Sequence, residues 1–82
     1  MSKTPDSETL VRFLVTSLVD DPGSVDVVKK VSGESVTYEI SLNPDDVGKV
    51  IGRQGRVIKA IRTVVRAAAS VNGEHVDVEV LG

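Results

Sequence analysis

No cysteine and no tryptophan occur in this chain of 82 residues, and histidine occurs once. A disulfide framework and a thiolate metal site are thereby excluded, and one histidine cannot build a zinc cluster, so neither metal nor cofactor is expected. Stability must come from packing, supplemented by association. The cysteine-free composition suits the cytoplasm. Long apolar runs are also missing: charges interrupt the chain every few residues, well short of the roughly 20 apolar residues that cross a bilayer. Nor do the first twenty residues carry the basic start, continuous apolar stretch and small-residue cleavage site of a secretory signal. A soluble cytoplasmic protein without membrane insertion is the expectation.

Length leaves room for one core. A single domain over residues 1–82 is expected, with 1–4 flexible and a core over about 5–81, and a multi-domain enzyme is excluded. The net charge of −2 argues at first against a polyanionic partner, because nucleic-acid binders usually carry excess Lys and Arg. Distribution reverses that impression. Six of the ten basic residues, Lys49, Arg53, Arg56, Lys59, Arg62 and Arg66, fall within eighteen positions, and no Asp or Glu occurs between Asp46 and Glu74. An ordinary solvated helix mixes signs to gain i,i+4 pairs, so a run without countercharge is a localised electrostatic footprint. Modest, salt-dependent affinity follows.

Helix and strand signals alternate along the chain. Thr4 as N-cap, Pro5 at the first helical position and acids in the first turn predict a helix to about Val19. Its packed face is read as Leu10, Phe13, Leu14 and Leu18, with Val11, Val15 and Val19 widening the apolar arc as further core or a partner contact. Asp20-Asp21-Pro22-Gly23 ends it. Residues 25–42 are rich in Val, Thr, Tyr and Ile with near-alternation, interrupted by Ser32-Gly33-Glu34-Ser35, and read as a hairpin. Asn43 then caps a short helix that begins at Pro44 and ends at about Ile51. A longer helix over 56–70 places Val57, Ile58, Ile61, Val64, Val65 and Ala68 on one face, with Lys59, Arg62 and Arg66 roughly opposite. Asn72-Gly73 stops it, and residues 75–81 alternate as a last strand. The resulting class is α+β in the order α-β-β-α-α-β. Helices should cover one face of a three-stranded mixed sheet, and a right-handed crossover would make the second and third strands parallel.

The two helices of the second half are joined by Ile51-Gly52-Arg53-Gln54-Gly55-Arg56-Val57-Ile58. Glycine has no Cβ, so a Gly-x-x-Gly turn can bring its main chain against a polyanion and leave N–H groups at the next helix start free to donate. Arg53 and Arg56 add charge where those donors point. A Walker A loop is excluded because Gly55 is followed by Arg56-Val57 and preceded by a helix, and a dinucleotide fingerprint fails because position 50 is Val and no strand leads in. On its own such a glycine pair is more often a plain turn. Its aliphatic frame, its basic first variable position and the element order set this one apart.

The Ile-Gly-x-x-Gly-x-x-Ile pattern resembles the signature loop of the KH domain, a module that binds single-stranded nucleic acid. The element order matches the type II arrangement of that fold, and the whole chain is similar to the free-standing small bacterial KH proteins of the KhpA family. The resemblance implies a clamp on about four nucleotides of single-stranded RNA, with bases on an aliphatic groove beside the loop. Mapped onto this sequence, the RNA-binding residues are Lys49, Ile51, Gly52, Arg53, Gln54, Gly55, Arg56 and Lys59. Val47, Val50 and Ile58 are further groove candidates, Ile58 being equally a core residue. Arg62 and Arg66 lie further along and are read as raising the local potential. The resemblance further implies pairing, as a homodimer or with a larger KH-containing protein.

Catalysis finds little in the sequence. His75 opens a strand beside Glu74 with no nucleophile tied to it, and Asp45 and Asp46 read as helix-start acids, so a non-enzyme is expected. With Phe13 and Tyr38 the only aromatics, and neither near the glycine turn, base stacking of the kind used by RRM and OB modules is not expected. A low-specificity RNA chaperone or post-transcriptional regulator is the leading expectation. The alternative is a protein-interaction or ribosome-associated module on the same scaffold with little RNA affinity of its own.

Overall fold

A computed structural model describes residues 6–81. Its elements are α1 (Ser7–Thr16), β1 (Asp26–Ser32), β2 (Ser35–Ser41), α2 (Val47–Ile51), α3 (Arg56–Val71) and β3 (His75–Leu81). Single 3-10 turns at Pro22–Ser24, Pro44–Asp46 and Arg53–Gly55 join them. The order is the expected α-β-β-α-α-β. β2 is central, pairing antiparallel with β1 and parallel with β3, so the sheet is mixed as the crossover argument required.

α1 differs from its sequence reading at both ends. Its N-cap is Asp6, whose Oδ1 accepts from Thr9 N at 2.7 Å; the expected cap at Thr4 and the flexibility of residues 1–4 lie outside the described residues. The helix stops at Thr16 rather than near Val19. Ser17 N closes the last α-turn on Phe13 O at 3.1 Å and Leu18 N then turns to Val15 O at 3.0 Å, a tighter i→i−3 bond, while Thr16 Oγ1 donates to Arg12 O at 2.7 Å and Ser17 Oγ to Phe13 O at 2.6 Å alongside the backbone.

The packed face of α1 is rotated from the expected one: of the four residues read as its centre, Leu10 and Leu14 pack at its side and Phe13 and Leu18 turn outward. Val11 and Val15 are fully buried, whereas Phe13 is 65% and Leu18 40% exposed. Each residue advances about 100° around the helix, so Phe13 lies more than half a turn from Val11 and points outward. The stripe that meets the sheet is Ser7, Val11 and Val15, with Leu10 and Leu14 half-buried beside it. Ser7 belongs there because its hydroxyl bonds Tyr38 OH at 2.6 Å, satisfying both groups in the core.

On α3 the buried stripe is Ile58, Ile61, Val65 and Ala69; Val64, expected inward, is 47% exposed. The stripe joins one core with Val36, Tyr38 and Ile40 of β2, Val76 and Val78 of β3 and Val27 of β1, closed by Val11, Val15 and Val50 from the other helices. The helix closes in a Schellman arrangement, Glu74 N donating to Ala69 O and Gly73 N to Ser70 O, both at 3.0 Å. No helix among the described residues is long and apolar enough to cross a membrane.

Candidate nucleic-acid interface

The conformation of the glycine turn is shaped by α2 and the start of α3. Asn43 Oδ1 accepts from Asp45 N at 3.0 Å and fixes the entry, Pro44 pre-sets the first turn, and α2 follows for five residues. Gly52 N donates to Gly48 O at 2.9 Å and closes α2. The backbone then reverses. Gly52 adopts φ 76°, ψ 171°, a conformation that essentially only glycine takes, and Gln54 (φ 58°) and Gly55 (φ 72°) are left-handed. A Cβ on Gly52 would lie 2.4 Å from Val57 Cγ2 and 2.9 Å from Val57 N, so the turn sits directly on the first residues of α3. Gly48 is different: nothing lies within 4 Å of a Cβ there, so close protein packing is not its reason.

The turn presents its polar groups outward. Arg53, Gln54, Arg56 and Lys59 are exposed, while Ile51, Gly52 and Gly55 are half-buried. The N–H groups of Arg53 and Gln54 have no partner among the described residues, and Gly55 N turns inward to Gly52 O at 3.2 Å. Open donors beside the start of a sixteen-residue helix are suited to an anion. Of the aliphatic candidates, Val50 is fully buried and Ile58 is 5% exposed, so both belong to the core. Val47 and Ile51 are left half-buried beside the turn.

The six cations divide into two groups. Arg62 Nε lies 3.5 Å and Arg66 Nη2 3.0 Å from Asp77 Oδ1, so the countercharge missing from the helix comes from β3. Lys49 reaches Asp46 Oδ1 at 3.0 Å and also pairs with Asp20. Its charge is already countered. Arg53, Arg56 and Lys59 form no ion pair among the described residues, and all three stand at the glycine turn or on the first turn of α3. Sequence reading missed this division because Asp20 and Asp77 are distant along the chain.

Asp46 is the pivot of this region. Its residue surface is 2% exposed, and its carboxylate accepts from Lys49 Nζ, Asp20 N at 3.3 Å and Asp21 N at 3.1 Å, tying the segment after α1 to the start of α2. The Lys49 hydrogen bond, then the two backbone donors, hold its carboxyl below the ordinary value of 3.8 against the opposing effect of burial. A depressed folded-state value contributes stability that is present above pH 3.8 and is lost as pH falls through the lower folded value. Asp6 and Asp21 are lowered too and act in the same acidic window. Asp46→Asn is therefore expected to lower the urea midpoint at neutral pH and to flatten its fall below about pH 4, measured against the wild type at matched pH. A parallel fall in both proteins would exclude the carboxylate as the origin.

The family model described as "KhpA/KhpB, KH domain" matches residues 8–80. The chain belongs to the KhpA/KhpB KH-domain family. Among similar curated proteins, the RNA-binding protein KhpA of Clostridium perfringens is 49% identical over 72 residues, covering 88% of this chain and 96% of that one. RNA-binding protein KhpA of Halalkalibacterium halodurans is 45% identical over 74 residues, covering 90% and 97%. A crystal structure of Aquifex aeolicus Era superposes with a TM-score of 0.68 at 21% identity, covering 90% of this chain and 29% of Era, a likeness of fold alone. In this KhpA/KhpB domain the helix–turn–helix carrying Gly52 and Gly55 therefore stands in a KH fold of the type II order, as the sequence implied.

Proposed function

We propose that this chain binds single-stranded RNA in the cytoplasm through the Gly52 to Gly55 turn, as a weakly sequence-selective chaperone or regulator that works in pairs. The observation that carries the reading is the coincidence of three unpaired cations, Arg53, Arg56 and Lys59, with open backbone donors at a turn where the main chain is bare. Phosphates would meet the N–H groups of the turn and these side chains, and Gln54 would add an amide. Ile51 offers an aliphatic surface to a base. Lys49, held by Asp20 and Asp46, contributes less. The printed names of the relatives, RNA-binding protein KhpA, support the substrate class. No catalytic step enters the reading, which takes residues 1–82 as a single domain.

The test is fluorescence anisotropy of a labelled mixed-sequence single-stranded RNA with wild type and Arg53→Asp/Gln54→Asp. Both glycines stay, and Asp is tolerated at the left-handed Gln54 position, so the variant should fold. Reversing the charge of the turn is expected to weaken binding by roughly tenfold or more. Equal binding by a folded variant would refute the turn as the clamp.

One observation favours a second reading, docking of a protein partner. Phe13, Val64 and Val71 are 65%, 47% and 75% exposed on the helical layer. Apolar docking would be insensitive to salt, whereas phosphate contacts weaken steeply with it.

A further inference from the structure

One side of α3 continues the line of cations beyond the glycine turn. Lys59, Arg62 and Arg66 step by three and four residues, which puts them on one face, with Arg62 about 9 Å and Arg66 about 15 Å along the axis from Arg56. Both guanidinium groups are fixed to the outer edge of β3. Arg62 Nε donates to Val78 O at 2.9 Å and Arg66 Nε to Val76 O at 3.4 Å. Those main-chain anchors leave most N–H donors of the two groups unengaged. Arg66 Nη2 donates to Asp77 Oδ1 at 3.0 Å, and the terminal nitrogens of Arg62 have no partner among the described residues. Asp77 Oδ1 also lies 3.5 Å from Arg62 Nε and accepts from Val78 N at 2.8 Å. Two fixed positive charges therefore share one carboxylate.

We propose that Arg62 and Arg66 form a second phosphate site for the RNA strand held at the glycine turn, and that Asp77 occupies it until a phosphate replaces its carboxylate. The inference rests on the reading of the turn as an RNA clamp and adds a subsite to it. Anchoring on carbonyls holds both guanidinium groups in place before any ligand arrives, so little side-chain freedom is lost when they take an oxyanion. The carboxylate now there is itself an oxyanion within hydrogen-bond reach of Arg66, as a phosphate oxygen would be. The pair is also open to water, the side chains of Arg66 and Asp77 being 57% and 49% exposed, so the ion pair is weak and readily exchanged. Asp77 thereby acts as an internal competitor. A strand of about four nucleotides fills the turn alone, whereas a longer one reaches along α3 and must displace the carboxylate. One acidic side chain then sets how much of a strand the domain holds.

Asp77→Asn removes the charge while its amide oxygen can still accept from Val78 N. Anisotropy is measured over a salt series with labelled single-stranded RNAs of about four nucleotides and about three times that length. The longer RNA is expected to bind Asp77→Asn about two- to fivefold tighter than wild type, and the shorter RNA should not distinguish the two proteins. For the longer RNA the salt slope should steepen by up to about 1.4, the value for two added phosphate contacts at roughly 0.7 each. Adding Arg62→Ala/Arg66→Ala to Asp77→Asn should erase the gain. Glu79→Gln is the control for net charge, since Glu79 lies on the same strand and pairs with neither arginine; it should give no length-dependent gain. Should Asp77→Asn unfold, the wild type serves instead: the Nε–H resonances of Arg62 and Arg66 should shift with the longer RNA and stay in place with the shorter. A gain that is the same at both lengths, is matched by Glu79→Gln or survives loss of the arginines overturns the second site and leaves the clamp standing. Failure of every protein to bind either RNA overturns the clamp, and the second site with it.

Discussion

Gly52→Ala is expected to lower the unfolding free energy by about 3 kcal/mol, as measured by urea titration, and to abolish RNA binding with it. Two costs combine. The backbone at φ 76°, ψ 171° costs a residue with a Cβ about 1–3 kcal/mol, and that Cβ would overlap Val57 Cγ2 at 2.4 Å and press on Val57 N at 2.9 Å. Neither is easily relieved, because Val57 is part of α3 and the turn has no slack between Gly48 O and Gly52 O. A small domain has only several kcal/mol in hand, so much of its margin would go. Gly48→Ala, four residues earlier on the exposed face of α2, is the control. It meets nothing within 4 Å and should be neutral or stabilising by up to about 1 kcal/mol. If the two alanines behave alike, the turn is not the strained element described.

The second large effect concerns salt. Each phosphate neutralised on a single strand contributes roughly 0.7 to the slope of log affinity against log salt, so three cations give a slope of about −2 and a loss of roughly 20-fold between about 50 and about 200 mM. Arg53→Ala/Arg56→Ala/Lys59→Ala should therefore weaken binding and remove most of that slope. Arg62→Ala and Arg66→Ala should change the slope less, since both share an ion pair with Asp77 and their guanidinium groups are held on the carbonyls of β3. The measurement is anisotropy over a salt series for each variant. A slope shared evenly among all five side chains would contradict the division into bound and free cations.

The elements and their order were legible because each has a chemical start and stop: Asn43-Pro44 opens one helix, Asn72-Gly73 ends another, and residues 36–42 alternate cleanly. Topology followed from the crossover between β2 and β3. Which side of a helix turns inward was less legible where apolar residues run almost all round. In α1 the three- and four-residue spacing fits both the Leu10, Phe13, Leu14, Leu18 set and the Val11, Val15, Val19 set, and the sheet takes Val11 and Val15 most deeply, with Ser7 admitted for its bond to Tyr38. The glycine turn could be read from local chemistry alone. The pairing of Arg62 and Arg66 with Asp77, and of Lys49 with Asp20 29 residues away, could not, because such partners become neighbours only through the fold. Asp46 shows the same limit: helix-start acids are surface features by default, and its burial depends on Asp20 and Asp21 folding back over it.

The brevity of α2 has a consequence for motion. Five residues cannot sustain a helix in water, where roughly 12–15 are needed even for favourable sequences, so its order is lent by Val50 in the core and by the carboxylate of Asp46. Loosening these two anchors would release α2, and with it the near side of the glycine turn, while the sixteen-residue α3 stays packed on the sheet. Amide protons of residues 47–51 would then exchange through a local opening rather than through global unfolding. The surface proposed to contact RNA would then be able to breathe while the core stays closed.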